Sequence, residues 1–165
     1  MIDEVDYKAL GAELAGKGVE VLFGYYVDVH GVPKSKAVPV ASLEQWVKGS
    51  ELYTVGALEG MGPLGPNEDE CVSLPDLSGL TQLPWEPRYA VAPADLMFHG
   101  KPYTHDSRAM LKRQVERAAG MGYVVNVGIE PEVYVIRETD DGIEPFVAED
   151  LENIPTDGYD LEATM

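Results

Sequence analysis

The sequence has 165 residues, 45% of them hydrophobic, with a formal net charge of −17. That is enough apolar material for a packed core in one ordinary domain, or in one small domain and part of another. The acidic balance excludes the basic surface that nucleic acids and anionic membranes require; no run resembles a leader or a membrane span, and the lone Cys71 excludes an internal disulfide, so a cytoplasmic protein is expected.

Taken in order, residues 5–17 place Val5, Ala9, Leu10, Ala12 and Leu14 at near-helical spacing, with Gly16 and Gly18 as stop signals. Residues 19–28, rich in Val, Leu, Phe and Tyr, predict a strand. His30-Gly31-Val32-Pro33 predicts a turn, its histidine solvated. Residues 34–40 predict a return strand whose Lys34 and Lys36 share one face at a solvated edge. Ser42-Leu43-Glu44-Gln45 fits a capping box that opens a short helix through Trp46 and Val47 to Gly49.

Between residues 53 and 69 periodicity is lost to Gly56, Gly60, Gly62, Pro63, Gly65 and Pro66. So long a loop inside a compact domain is usually functional or disordered. Short strands are predicted at 69–74 and 80–83 around a turn at 75–79. Cys71, beside Val72, reads as a small buried hydrophobe. A further strand is predicted at 89–98, with Pro93 placing it at an edge or a bulge. A helix follows over 107–119, capped by Asp106 or Ser107 and ended by Gly120. Its pattern buries Leu111, Val115, Ala118 and Ala119, leaving Arg108, Lys112, Arg113 and Arg117 on a solvated face.

Residues 123–136 carry the sharpest signal. Val, Ile and Tyr dominate, so the run reads as a strand buried on at least one face. Glu130 and Glu132, two apart, would point to the same side, roughly 6.6 Å from each other along a strand. Like charges held together in an apolar setting need a counter-charge, and a hard divalent cation such as Mg²⁺ or Mn²⁺ supplies one. An exposed strand face carrying two harmless glutamates explains the same residues. Pro131 between them removes one ladder donor, which suggests an edge or a bulge. Beyond Ile136 the composition turns acidic, with Asp141-Gly142 as a hairpin turn back to Pro145-Phe146-Val147. The chain has no Gly-x-x-x-x-Gly-Lys loop, no dinucleotide fingerprint and no Gly-x-Ser-x-Gly.

Four stretches together resemble the N-terminal part of the glutamine synthetase family. Tyr25-Tyr26-Val27-Asp28-Val29-His30-Gly31-Val32-Pro33-Lys34-Ser35-Lys36 is similar to the family's first hairpin, and Leu83-Pro84-Trp85-Glu86-Pro87 to its Pro-Trp segment. Asp106-Ser107-Arg108-Ala109-Met110-Leu111 resembles the Asp-x-Arg-x-x-Leu that opens its catalytic domain. Gly128-Ile129-Glu130-Pro131-Glu132-Val133-Tyr134 resembles its Gly-x-Glu-Pro-Glu-aromatic signature. The loop Gly60-Met61-Gly62-Pro63-Leu64-Gly65-Pro66, with Gly158-Tyr159-Asp160, looks most like the type III-like and γ-glutamylmethylamide synthetase branch.

The resemblance implies an α+β chain: a β-grasp N-terminal domain over residues 1–105, then the truncated start of the family's catalytic α/β domain over residues 106–165. It implies that Glu130 and Glu132 each bind one of two divalent cations, Mg²⁺ or Mn²⁺, in a site that takes ATP as a substrate. Glutamate and ammonia or methylamine are the other expected partners, joined through γ-glutamyl phosphate, in a homo-oligomeric ring with active sites between subunits. An acid on the first domain's loop serves the amine site of better-known members; Glu59 is the candidate here, and an exposed loop acid is its other reading. The remaining ligands and the nucleotide-binding residues are expected outside this chain, which alone should be inactive. A non-catalytic relative kept as a structural or binding module, and a free-standing β-grasp interaction domain, are the alternatives.

Overall fold

The computed structural model describes residues 5–57, 60, 62, 65 and 67–145. The chain divides into two units, Met1–Val125 and Asn126–Met165. The first is a mixed α/β, sheet-rich structure. Helix α1 (Tyr7–Gly16) begins where the Asp6 carboxylate accepts from the N–H groups of Lys8 and Ala9, both at 3.0 Å. Those donors have no partner within the helix, so the cap stabilises its first turn. Leu14 is buried, and Tyr7 and Leu10 pack against the same core.

Strands β1 (Val21–Val27) and β2 (Pro33–Pro39) form the expected antiparallel hairpin. Asp28 closes its bend: the N–H groups of His30 and Val32 each donate to Oδ1 at 2.9 Å, and Lys34 lies 3.5 Å away. The Val32 donor, followed by His30 and Lys34, holds this carboxyl below the usual range. Lys34 and Lys36 are therefore more than a solvated edge. Lys36 donates to the Leu52 carbonyl and sits 4.9 Å from the centre of the Tyr53 ring.

Helix α2 (Leu43–Val47) forms as expected, but the capping box does not. A 3₁₀ turn over Val40–Ser42 runs straight into it and holds Ser42 at φ −102°, ψ 21°. A side-chain cap needs an extended residue there, and the Ser42 hydroxyl makes no such bond.

The remaining strands are β3 (Glu51–Tyr53), β4 (Cys71–Pro75), β5 (Thr81–Leu83), β6 (Glu86–Phe98) and β7 (Lys101–Pro102). Their order is β2-β1-β6-β4-β3, with β5 and β7 also paired to β6. Among the described strands only β1 and β6 run parallel, from Val21 opposite Tyr89 to Tyr25 opposite Pro93. The expected edge position of Pro93 is corrected: β6 is the centre of the sheet. On the side away from β1, β5 pairs with β6 as far as Val91 and β4 begins at Ala94. The Pro93 carbonyl accepts from Asp76 N–H at 2.7 Å on that side. In a strand the N–H and C=O of one residue point the same way, so the donor that Pro93 lacks faces the seam between β5 and β4.

Alternate residues of β6, Ala90, Ala92, Ala94 and Leu96, are fully buried. The alanines let α2 approach closely, and Trp46, 0% exposed, fills the space over Leu22, Ala90 and Ala92. A second cluster joins Tyr26, Tyr53, Val55, Cys71, Leu96 and Tyr103, with the Tyr26 and Tyr53 rings edge to face at 5.0 Å. Burial pushes the Cys71 thiol up to about 11, which suits an inert packing residue. Among the described residues no helix is long and apolar enough to cross a membrane.

Candidate functional site

Helix α3 (Ser107–Gly120) precedes the acidic pair in sequence, and its anchoring reverses one expectation. Asp106 caps it, with Oδ2 accepting from Ala109 N–H at 3.0 Å. The residue is wholly buried, and that burial raises its carboxyl above the usual range. Arg108 donates from Nε to Asp95 at 2.9 Å and from Nη2 to Asp76; Lys112 reaches the other Asp95 oxygen at 2.6 Å. Asp76 is held below the usual range by the Ser78 hydroxyl first, with Arg108 and Lys112 adding to it. Arg108 and Lys112, one turn apart, thus tie the helix to β6 and to the β4–β5 connection. Leu111 and Val115, expected to be buried, are 63% and 43% exposed. Asp95 explains the inversion: alternation sets it on the face of β6 opposite Ala94 and Leu96, where it attracts cations rather than apolar groups.

The helix also ends later than expected, with Gly120 still helical. Gly122 is at φ +83°, and the N–H groups of Gly122 and Tyr123 return to Ala119 and Ala118. That left-handed cap requires glycine.

In the second unit, Ile136–Thr139 (β8) and Gly142–Pro145 (β9) form a hairpin. Its turn is Asp140-Asp141, one residue earlier than expected, and Phe146 and Val147 lie outside the described residues. Residues 123–135, expected as a buried strand, form no strand. Val124, Ile129 and Tyr134 are 85%, 88% and 95% exposed. A strand needs a ladder partner and a covered face, and this run has neither among the described residues.

Glu130 and Glu132 are both exposed on that run. Their oxygens suit a hard divalent cation in kind. They do not suffice in number: no group of three or more His, Cys, Asp or Glu able to hold a metal ion occurs among the described residues. Glu59, the candidate amine-site acid, lies outside the described residues, as do most of its loop and the acidic tail from residue 146. Sequence reasoning missed the set Asp76, Asp95, Arg108 and Lys112. Its signal was present: an Asp between apolar neighbours on a strand, and two cations four residues apart on a helix.

No protein-family profile matches the chain. It is 34% identical over 128 residues to a glutamate–methylamine ligase of Methyloversatilis universalis, covering 77% of this chain and 29% of the relative. It is 30% identical over 128 residues to a glutamine synthetase of Pyrococcus horikoshii, covering 78% of this chain and 28% of that one. The chain thus spans under a third of the length of these curated relatives. Among solved structures, a GmaS–ADP complex aligns with a TM-score of 0.62 at 28% identity, over 68% of this chain and 26% of the other.

Proposed function

The chain belongs to the glutamine synthetase family, and on that premise we propose that it is the N-terminal part of an ATP-dependent ligase that amidates the γ-carboxylate of glutamate. The observation that carries the proposal is the 34% identity over 128 residues to a glutamate–methylamine ligase. Residues 1–105 are then a β-grasp domain and residues 106–165 the start of the catalytic domain.

In the proposed reaction the γ-phosphoryl group of ATP passes to the glutamate γ-carboxylate, releasing ADP and forming γ-glutamyl phosphate. The amine nitrogen attacks the activated carbonyl carbon, phosphate leaves, and the nitrogen gives up a proton. Divalent cations, when bound, neutralise the charge that builds between these anions. Glu130 and Glu132 would each present a carboxylate to one of two such ions, Mg²⁺ or Mn²⁺, with other parts of the ligase completing the shells. Glu59 is the proposed acid of the amine site. Active sites shared between subunits of a closed ring fit a head-to-tail interface.

The test is ATP-dependent amide formation by the ligase that contains this chain, with ammonia and with methylamine. The two amines differ by one methyl, worth about 1–3 kcal/mol of discrimination, so turnover with both is expected and their ratio names the enzyme. Glu130→Ala and Glu132→Ala should each abolish turnover at saturating Mg²⁺ or Mn²⁺ while leaving the fold intact. Near-normal turnover in either variant would remove that residue from the mechanism. No turnover with either amine would return the chain to a non-catalytic role.

A further inference from the structure

We infer that the turn joining β6 to β7, with the residues just after it, forms a binding site for a small anion bearing a carboxylate or a phosphate. A cavity of about 490 Å³ opens there, walled by Phe98 and Tyr103 and edged by His99, Lys101, Thr104 and His105. The chain has a net charge of −17 and three histidines, yet this cavity gathers Lys101 and two of those histidines, with no acid among its described lining residues. The Lys101 ammonium has no ion-pair or hydrogen-bond partner among the described residues.

The turn is built in an unusual way for its geometry. Phe98 pairs with Lys101, leaving His99-Gly100 as a two-residue turn with φ of +49° and +73°. Asn-Gly or Asp-Gly is the usual filling of such a turn, so the histidine departs from local preference. Its ring is fixed on two sides, stacked on Phe98 at 4.0 Å and with Nε2 2.7 Å from Asp69 Oδ2. Nδ1 is left over. His105 is fixed as well, by Thr104 Oγ1 at 3.1 Å from Nδ1 and by the buried Tyr103 ring at 5.5 Å. When the Thr104 hydroxyl donates to Nδ1, the imidazole keeps its N–H on Nε2. An ammonium and the oriented His105 Nε2–H beside two aromatic walls, with no competing carboxylate among the described lining residues, select an anion attached to a short apolar body.

The experiment follows the ring protons of His99 and His105 by NMR in the 165-residue chain, at fixed pH and ionic strength. Inorganic phosphate is titrated in one arm and succinate in the other. Saturable shifts of both rings are expected. Lys101→Ala should weaken the binding about tenfold, the loss of one charge-assisted contact. His99→Asn, which suits the turn, should weaken it less, and Lys8→Ala on α1 should leave it unchanged. Saturation by phosphate alone assigns a phosphate-bearing ligand, by succinate alone a carboxylate, and by both a site that reads charge. Shifts that fail to saturate with either probe overturn the inference. So do Lys101→Ala and His99→Asn chains that keep the parent's resonances elsewhere and titrate like the parent.

Discussion

The sheet of the first unit and the run at 123–135 both draw on Val and Tyr, and they end up in opposite environments. In β6 the alternate residues Ala90, Ala92, Ala94 and Leu96 are fully buried, because β1, β4 and β5 satisfy its backbone while α2 covers its face. In the run, Val124, Ile129 and Tyr134 stay 85–95% exposed. The difference lies in partners rather than composition. β-propensity expresses fit to a paired, half-covered surface and does little for a strand alone.

The largest expected break in this comparison is Trp46→Ala. Removing a wholly buried indole should destabilise the first unit by about 3–5 kcal/mol, read as a lowered urea midpoint. A loss much smaller than that would mean α2 is not what closes the core. Arg108→Ala comes next, at about 1–2 kcal/mol, since its partners Asp76 and Asp95 are roughly three-quarters buried and lose charged hydrogen bonds. Leu111→Ser on the same helix should cost little by comparison. The reverse ranking would restore the expected burial of Leu111.

Asp106 gives a smaller effect with a definite sign. Its folded pKa lies above that of the unfolded chain, so its contribution favours folding in acid and is lost as pH rises through the raised value. Asp76 runs the other way: its contribution is present above the ordinary carboxylate range and lost as pH falls. Asp106→Asn keeps an accepting cap and removes the buried charge. It should match or exceed the parent's stability at neutral pH, with the advantage fading near the ordinary aspartate value of about 3.9. Urea midpoints at the two pH values decide it; a less stable Asn variant at neutral pH would show that the charge itself is needed. Smallest of all, Ile129→Ser and Tyr134→Ser should change the stability of this chain by no more than about 0.5 kcal/mol. A larger loss would reveal packing on the run.

Much of this was legible in the residues. The hairpin of β1 and β2, the helix from Ser107, the buried thiol and the short strands flanking residues 75–79 all follow local patterns. β3 was not legible, because three residues are too few to show a period. The seam that accommodates Pro93 depends on where β5 stops and β4 starts, which no local pattern records. The face that α3 turns to the sheet was misread because apolar periodicity was weighed without Asp95, a residue twelve or more positions upstream on another element. For the candidate site, Glu130 and Glu132 were found by chemical oddity and by resemblance. Their surroundings depend on strand partners that a single stretch cannot name.

The parallel pairing of β1 with β6 also sets an order of events. Val21 meets Tyr89 across the whole length of α2 and four intervening strands. A chain emerging from the ribosome can form α1 and the first hairpin early, but the centre of the sheet must wait for β6. Until then one edge of β1 stands open, with Leu22 and Tyr26 uncovered. Long-range pairing of this kind slows folding and lengthens the time in which such an edge can join a foreign strand.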